Sequence, residues 1–466
     1  MITNPVCFVF DMDGVIVDTL ATLYRNYLDI LTLFGKSGSA QEFDRLNGSS
    51  LDEIVTHIAT HHDLLGSEAA IRSRFEDGFT RLYEAPSLIP GVKQALQNIS
   101  SAGVPIVIAS SAGRETIASV VRYFELENYI SGWVSGEDVE RGKPCPDIYL
   151  KARSLVPGAA IFIAVEDSDN GILSAWQAGM IPVHFVAESA NAHKNASFVI
   201  NDMSTLTHIL ALPTFPLRAM ESTRLTECRA IPVPTALKSK IDQFWQSAVT
   251  ENSSLFDAQV MCYQGHEMTV DGLCSLRYGR RQYREVFYVL RSPDARQCAN
   301  LPVIIPLAVS GVICNPKGEY LLATRAETVT QYAGKKEFVP SGSMDVPEAD
   351  ENSDGRDLVT DQISRELAEE SGIKAIESCR QIGLIYDLHA SVMDIACSVS
   401  LQEELPVDGG YHSKEYHQYA WLESDAVRRL CHTDDIISTS AELFRLVQQE
   451  YPELPEPSFA GERYAD

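Results

Sequence analysis

Short apolar runs alternate with amphipathic stretches through the first two hundred residues. Val6–Asp11, Pro105–Ser110, Ala160–Asp167 and Ile181–Val186 are nearly continuous apolar runs, each closed or followed by small or acidic residues. Helical spacing fills the intervals. That alternation predicts a parallel sheet flanked by helices, with ligands gathering at the carboxyl ends of the strands. After the first run, Leu20, Leu23, Tyr24, Tyr27, Leu28, Leu31 and Phe34 recur at steps of three and four. Leu51, Ile54, Val55 and Ile58 form a second such face, and Ile71, Phe75, Phe79 and Leu82 a third. These faces predict a helical module inserted over about residues 20–88, placed to act as a lid.

The pattern then changes. Leu212-Pro213-Thr214-Phe215-Pro216 and Ile231-Pro232-Val233-Pro234 predict a stiff, extended connection over 211–235, between a domain at 1–210 and another at 236–466. In the second half Ser254–Gln264 and Glu285–Arg291 are strand-like. Ile304–Cys314 and Glu319–Arg325 flank the hairpin signal Asn315-Pro316-Lys317-Gly318. A helix follows, with Asp357 as N-cap, Gly372 as stop and Val359, Ile363 and Leu367 as its buried ridge. Strands at Ile382–Asp387 and Ile395–Leu401 and a helix at about Asp425–Cys431 complete a mixed α+β domain.

Bulk properties narrow the partners. A chain of 466 residues is long enough for two or three domains. Its 38 basic and 64 acidic residues give a net charge of −26, which repels nucleic acid and anionic membranes. An anionic substrate therefore needs a local pocket of Lys, Arg and metal. No apolar run is long enough to span a bilayer. With a strand beginning by Val6, no signal or transit peptide is expected. The ten cysteines are scattered from Cys7 to Cys431 without a CxxC or Cys/His cluster, as for reduced thiols in the cytoplasm.

Two acidic clusters carry candidate chemistry. In Phe8-Val9-Phe10-Asp11-Met12-Asp13-Gly14, two carboxylates stand at a strand end. One carboxylate can attack phosphorus and the other can move the leaving-group proton. A phosphate dianion would repel Asp11, so counter-charge is required. Lys143, in Gly142-Lys143-Pro144-Cys145-Pro146-Asp147, can supply it. Glu166 and Asp167 can complete a Mg2+ site with Asp11, and Ser110 can donate to a phosphate oxygen. In the inserted module Arg45, Asn47, His61 and His62 are candidates for substrate contact.

These segments resemble, in order, the motifs of the haloacid dehalogenase (HAD) superfamily over about residues 5–205, and most of all its β-phosphoglucomutase-like phosphatases with a helical cap. The resemblance implies a Rossmann-like parallel sheet with an inserted cap. It implies Asp11 as nucleophile, Asp13 as general acid/base, Ser110 and Lys143 as phosphate binders, and Asp11, the Asp13 backbone, Glu166 and Asp167 around Mg2+.

The second cluster is Arg365-Glu366-Leu367-Ala368-Glu369-Glu370-Ser371-Gly372-Ile373. At about 100° per residue Glu366, Glu369 and Glu370 share one helix face, where their mutual repulsion calls for a divalent cation. The segment resembles the second half of the Nudix hydrolase signature, Gx5Ex7REUxEExGU. Gly342 and Glu348 match its opening, but sixteen residues separate Glu348 from Arg365 where the family has seven. An acidic insertion, Ala349–Gly355, accounts for most of the excess, and Asp357 stands in the register of the family's glutamate. The resemblance implies an α+β Nudix domain with metal on Glu366, Glu369 and Glu370, and Arg365 orienting a glutamate. Glu369, Glu348 and Glu415 are candidate bases, and Arg280, Arg281 and Arg284 candidate phosphate binders.

Together the resemblances imply a bifunctional hydrolase using Mg2+ or Mn2+. One half would cleave a nucleoside diphosphate derivative, such as a nucleotide sugar. The other would dephosphorylate a small phosphorylated metabolite. Two alternatives stay open: a phosphomutase in the first half, and a non-catalytic, nucleotide-sensing module in the second.

Overall fold

The computed structural model describes residues 5–82, 86–186, 192–253, 255–295, 298, 301–329, 331–346, 357–374, 376–401 and 415–450. The chain divides into two compact units, the first ending at Leu212 and the second beginning at Pro213.

The first unit is built on a parallel sheet. Its strands are β1 (Val6–Phe10), β2 (Ile106–Ser110), β3 (Gly132–Ser135), β4 (Ile161–Glu166), β5 (Ile181–Phe185) and β6 (Phe198–Ile200), in the order β3-β2-β1-β4-β5-β6. Every residue of β1, β2 and β4 is buried, as continuous apolar strands require when helices cover both faces. Chain order reverses direction across the sheet between β1 and β4, which opens a crevice at their carboxyl ends. Phe10 lies opposite Ile108 on one side and Val165 on the other, so the residues that follow β1, β2 and β4 emerge side by side.

The inserted module is helical, as its spacing predicts: α1 (Leu20–Leu33), α2 (Ala40–Leu46), α3 (Leu51–His61) and α4 (Glu68–Leu82). Tyr27, Ile30, Leu31, Leu46, Val55, Ile58, Ile71 and Phe75 form its own core. A capping box at Ser50 and Glu53 starts α3 and fixes where the preceding loop, residues 47–50, leaves it.

In the second unit the sequence reading needs two corrections. The stretch expected as a connection contains strands: β7 (Thr214–Leu217) and β8 (Ser222–Glu227). Pro216 sits on β7 without breaking the fold because β7 is an edge strand, antiparallel to β15 (Ile376–Asp387). Residues expected as a strand at 285–291 are a helix (Tyr283–Arg291). Their aromatic residues pack on another helix (Lys238–Glu251), with Phe244 and Trp245 each against Phe287, so tertiary contact overrides β propensity.

The larger sheet of this unit is mixed. β11 (Leu307–Cys314) runs parallel to β16 (Val392–Leu401) and antiparallel to β12 (Glu319–Arg325) and β14 (Ser341–Ser343). The helix α12 (Leu358–Ser371) packs over β11 and β14. Asp357 caps it, accepting from the Val359 and Thr360 amides, and Gly372 ends it at φ +72°, both as the sequence predicts. Among the described residues no helix is long and apolar enough to cross a membrane.

Candidate functional site

The carboxyl ends of β1, β2 and β4 bring Asp11, Ser110, Lys143, Glu166 and Asp167 together. Lys143 is buried, with 1% of its surface exposed, and its ammonium donates to Asp11 Oδ1 at 2.6 Å, Glu166 Oε1 at 2.6 Å and Ala109 O at 3.2 Å. Burial alone would push its pKa down, yet Asp11 and Glu166 carry it above its ordinary value. Asp11 is the converse. Burial and the nearby Glu166 and Asp13 outweigh the attraction of Lys143 and raise its carboxyl to about 7. Asp167 is raised as well, by burial and then by the charges of Asp11 and Glu166.

One oxygen from each of Asp11, Glu166 and Asp167 lies within 4.8 Å of the others. Three close carboxylates against one ammonium leave the cluster short of positive charge. A hard divalent cation with oxygen ligands fits that donor set. The backbone is shaped around it. Gly14 turns at φ +78°, and a Cβ there would meet Asp167 Oδ2 at 2.1 Å; one on Gly171 would meet the Glu166 carboxylate at 2.0 Å. Asp13 is half-buried beyond β1 and its side chain is outside the converging trio. Ser110 Oγ accepts from the Ala112 amide at 3.1 Å, which orients the hydroxyl at the end of β2.

Sequence reasoning missed Tyr149. Its hydroxyl donates to Glu166 Oε1, but on a helix its spacing reads only as an apolar position. Of the candidates in the inserted module, Asn47 reaches the site, donating to Asp167 Oδ2 at 3.2 Å. Asn170 holds the same loop through the carbonyls of Arg45 and Asn47 and the Ser49 hydroxyl, at 3.0–3.1 Å. His61 and His62 are engaged within the module instead. His62 Nε2 is 2.9 Å from Glu42, and His61 stacks on His57.

In the second unit a cavity of about 540 Å3 is lined by Glu337, Glu366, Glu369, Glu370, Glu415, Asp387, Asp394 and Arg325, among others. Glu366 approaches so closely that a Cβ on Gly342 would meet its carboxylate at 2.1 Å, which explains glycine there. Burial is the main cause raising Glu366 to about 7 and Glu370 well above its ordinary value. The three helix glutamates do not close as the first cluster does: among the described residues, only Asp11, Glu166 and Asp167 form such a trio. Their oxygens turn to local donors, Glu366 to Gln362 at 2.8 Å and Glu370 to the Ser341 amide and Tyr416 hydroxyl at 3.3 Å.

Two expectations change here. Arg365 pairs with Asp345 rather than with a glutamate. Arg280, Arg281 and Arg284 form ion pairs with Glu227, Glu285, Asp242 and Asp257 and do not line the cavity. Arg325, paired with Glu337, is the cation in the described lining, and sequence spacing gave no signal for it. Glu348 lies outside the described residues.

Asp394 gives a pH prediction. Burial, with the charges of Asp387 and Glu337, raises it to about 7 despite a hydrogen bond from Ser310. A raised folded-state pKa means that stability present in acid is lost as pH rises through about 7. Asp394→Asn should therefore melt above the parent at pH 8, by on the order of a few kcal/mol, and match it near pH 4. Thermal melts across that range check it; a constant offset would contradict the buried charge.

Comparison with known proteins bears on the first unit. Residues 8–185 match the haloacid dehalogenase-like hydrolase family. The chain is 28% identical over 204 residues to the bifunctional riboflavin kinase/FMN phosphatase of Arabidopsis thaliana, covering 42% of this chain and 53% of that one. It thus spans about half the length of that relative. It is also 28% identical over 190 residues to a phosphorylated carbohydrates phosphatase of Thermotoga maritima, covering 40% of this chain and 87% of the other. A β-phosphoglucomutase from Clostridium difficile superposes over 43% of this chain and 92% of its own, with 21% identity and a TM-score of 0.39. Family match and site geometry together identify residues 8–185 as a haloacid dehalogenase-like hydrolase domain.

Proposed function

We propose that this domain hydrolyses a small phosphomonoester, with a sugar phosphate as the substrate class, through an aspartyl phosphate on Asp11. The observation that carries the reading is the buried Lys143 bound at 2.6 Å to both Asp11 and Glu166 beside Asp167. A carboxylate so placed has its approach to a phosphate dianion assisted by fixed positive charge. Asp11 attacks phosphorus, and the ester P–O bond breaks as Asp13 gives its proton to the leaving alkoxide. Asp13 then takes a proton from water as that water attacks the acyl phosphate, which releases inorganic phosphate and restores Asp11. Ser110 and Lys143 hold phosphoryl oxygens. A divalent cation on Asp11, Glu166 and Asp167 would supply further positive charge to them. Names among the relatives, a phosphorylated carbohydrates phosphatase above all, support the substrate class.

The expected result is phosphate release from sugar or sugar-alcohol phosphates by the full chain in Mg2+, falling at least about tenfold with EDTA and returning when Mg2+ is restored. No release from any such ester in Mg2+ would end this reading.

For the second unit we infer a Nudix-type hydrolysis of a nucleoside diphosphate derivative. Its support is the cavity in which Glu366, Glu369 and Glu370 stand on one helix beside Glu337, Glu415 and Arg325. Cations held by the helix glutamates would neutralise the diphosphate, and the chain would carry both activities. Glu369 and Glu415 are the candidate bases within the described residues.

A further inference from the structure

The two ends of the second unit's cavity differ in a way its glutamates do not explain. At one end stand Glu366, Glu369 and Glu370. At the other, Asp387 and Asp394 lie on β15 and β16. Asp387 is saturated. Its Oδ2 accepts from the Tyr332 and Thr439 hydroxyls, each at 2.9 Å, and its Oδ1 from the Ala390 amide at 2.8 Å. Asp394 is not. It is 6% exposed, and Ser310 donates to its Oδ1 at 2.7 Å. Its other oxygen has no donor among the described residues, and Asp394 lines the cavity. A carboxylate oxygen with no protein donor, in a side chain that lines a cavity, is open to a donor carried by a ligand.

The two ends are joined by a short chain of hydroxyls. Ser341, whose amide donates to Glu370, has its Oγ 3.3 Å from Ser310 Oγ, which in turn bonds Asp394. A ligand anchored by its diphosphate at the glutamates would therefore have Asp394 within reach of its organic part. A phosphate could not occupy that end, since two buried carboxylates face it without a described cation beside them. A neutral hydroxyl or an amine could, because it brings the missing donor.

We propose that Asp394, held in place by Ser310, is a specificity residue that accepts a hydrogen bond from a hydroxyl or amino group on the organic part of a diphosphate ester. This rests on the diphosphate reading of the cavity. It narrows the class to esters whose organic part carries such a donor, against bare polyphosphates. Because one oxygen of an amide at this position would take the Ser310 hydrogen bond, Asp394→Asn would turn an NH2 group towards the ligand, donor against donor.

The test is equilibrium binding of ADP-glucose and of inorganic tripolyphosphate to the full chain at pH 8 in Mg2+, with hydrolysis followed in the same samples. Asp394→Asn should weaken ADP-glucose binding about tenfold or more, the size expected for a hydrogen bond to a charged group. Tripolyphosphate binding should hold or tighten. Ser310→Ala should show the same selectivity in milder form. A purely structural role would weaken both probes together, and that result would overturn the proposal, as would unchanged ADP-glucose binding in a folded variant or no binding by the parent. Should the parent bind ADP-glucose selectively but leave it intact, Asp394 keeps its role and the hydrolytic reading fails instead.

Discussion

Replacing Asp11 by Asn is expected to lower phosphomonoester turnover by at least about a thousandfold, or about 4 kcal/mol of barrier, in a protein that melts no lower than its parent. Only a carboxylate can form the acyl phosphate, and an amide oxygen in the same place is a far weaker nucleophile. The fold should survive for a specific reason. Asp11 is buried, and its neighbours Glu166 and Asp13 repel its charge, so an isosteric neutral group relieves like-charge crowding. Lys143 keeps Glu166 as a partner at 2.6 Å, so the substitution does not strand a buried ammonium. Phosphate release and thermal melts of the purified variant check both halves of the prediction. Turnover near that of the parent would remove Asp11 from the nucleophile's role.

Glu369→Gln should have a comparably large effect on the other reaction and almost none on this one. If a helix glutamate holds a cation or activates water in the second cavity, cleavage of ADP-glucose should fall about a hundredfold or more. Phosphate release from a sugar phosphate should stay within about twofold, because the acids of the two sites come from separate sets of strands and helices. Comparing Asp11→Asn with Glu369→Gln on the same two substrates gives four rates. The proposed pattern is a crossed loss, with each variant silencing one reaction. Loss of both reactions in either variant would mean that the two sites are not independent. Full ADP-glucose cleavage by Glu369→Gln would take that residue out of the chemistry and favour a nucleotide-sensing cavity.

Much of this was legible in the chain itself. The run Val6–Asp11 and its three counterparts are local patterns, and a strand's apolar continuity reports its own burial. Asp11, Glu166 and Asp167 were readable as a cluster because each directly ends or follows a strand, and parallel strands deliver such residues to one edge. The caps of α12 were readable for the same reason: Asp357 and Gly372 act on backbone within one turn of themselves. What remained hidden depends on partners distant in sequence. Tyr149 meets Glu166, and Arg325 meets Glu337, only after the sheets assemble. Arg280, Arg281 and Arg284 looked available because their ion-pair partners, from Glu227 to Glu285, could not be assigned from spacing. The segment 283–291 became a helix because Phe244 and Trp245 offer it a surface. The spare oxygen of Asp394 is of the same kind. Sequence determines which groups are present and how near neighbours are arranged; only the folded chain decides which buried carboxylate is saturated and which still lacks a donor, because that depends on distances between strands far apart in the chain.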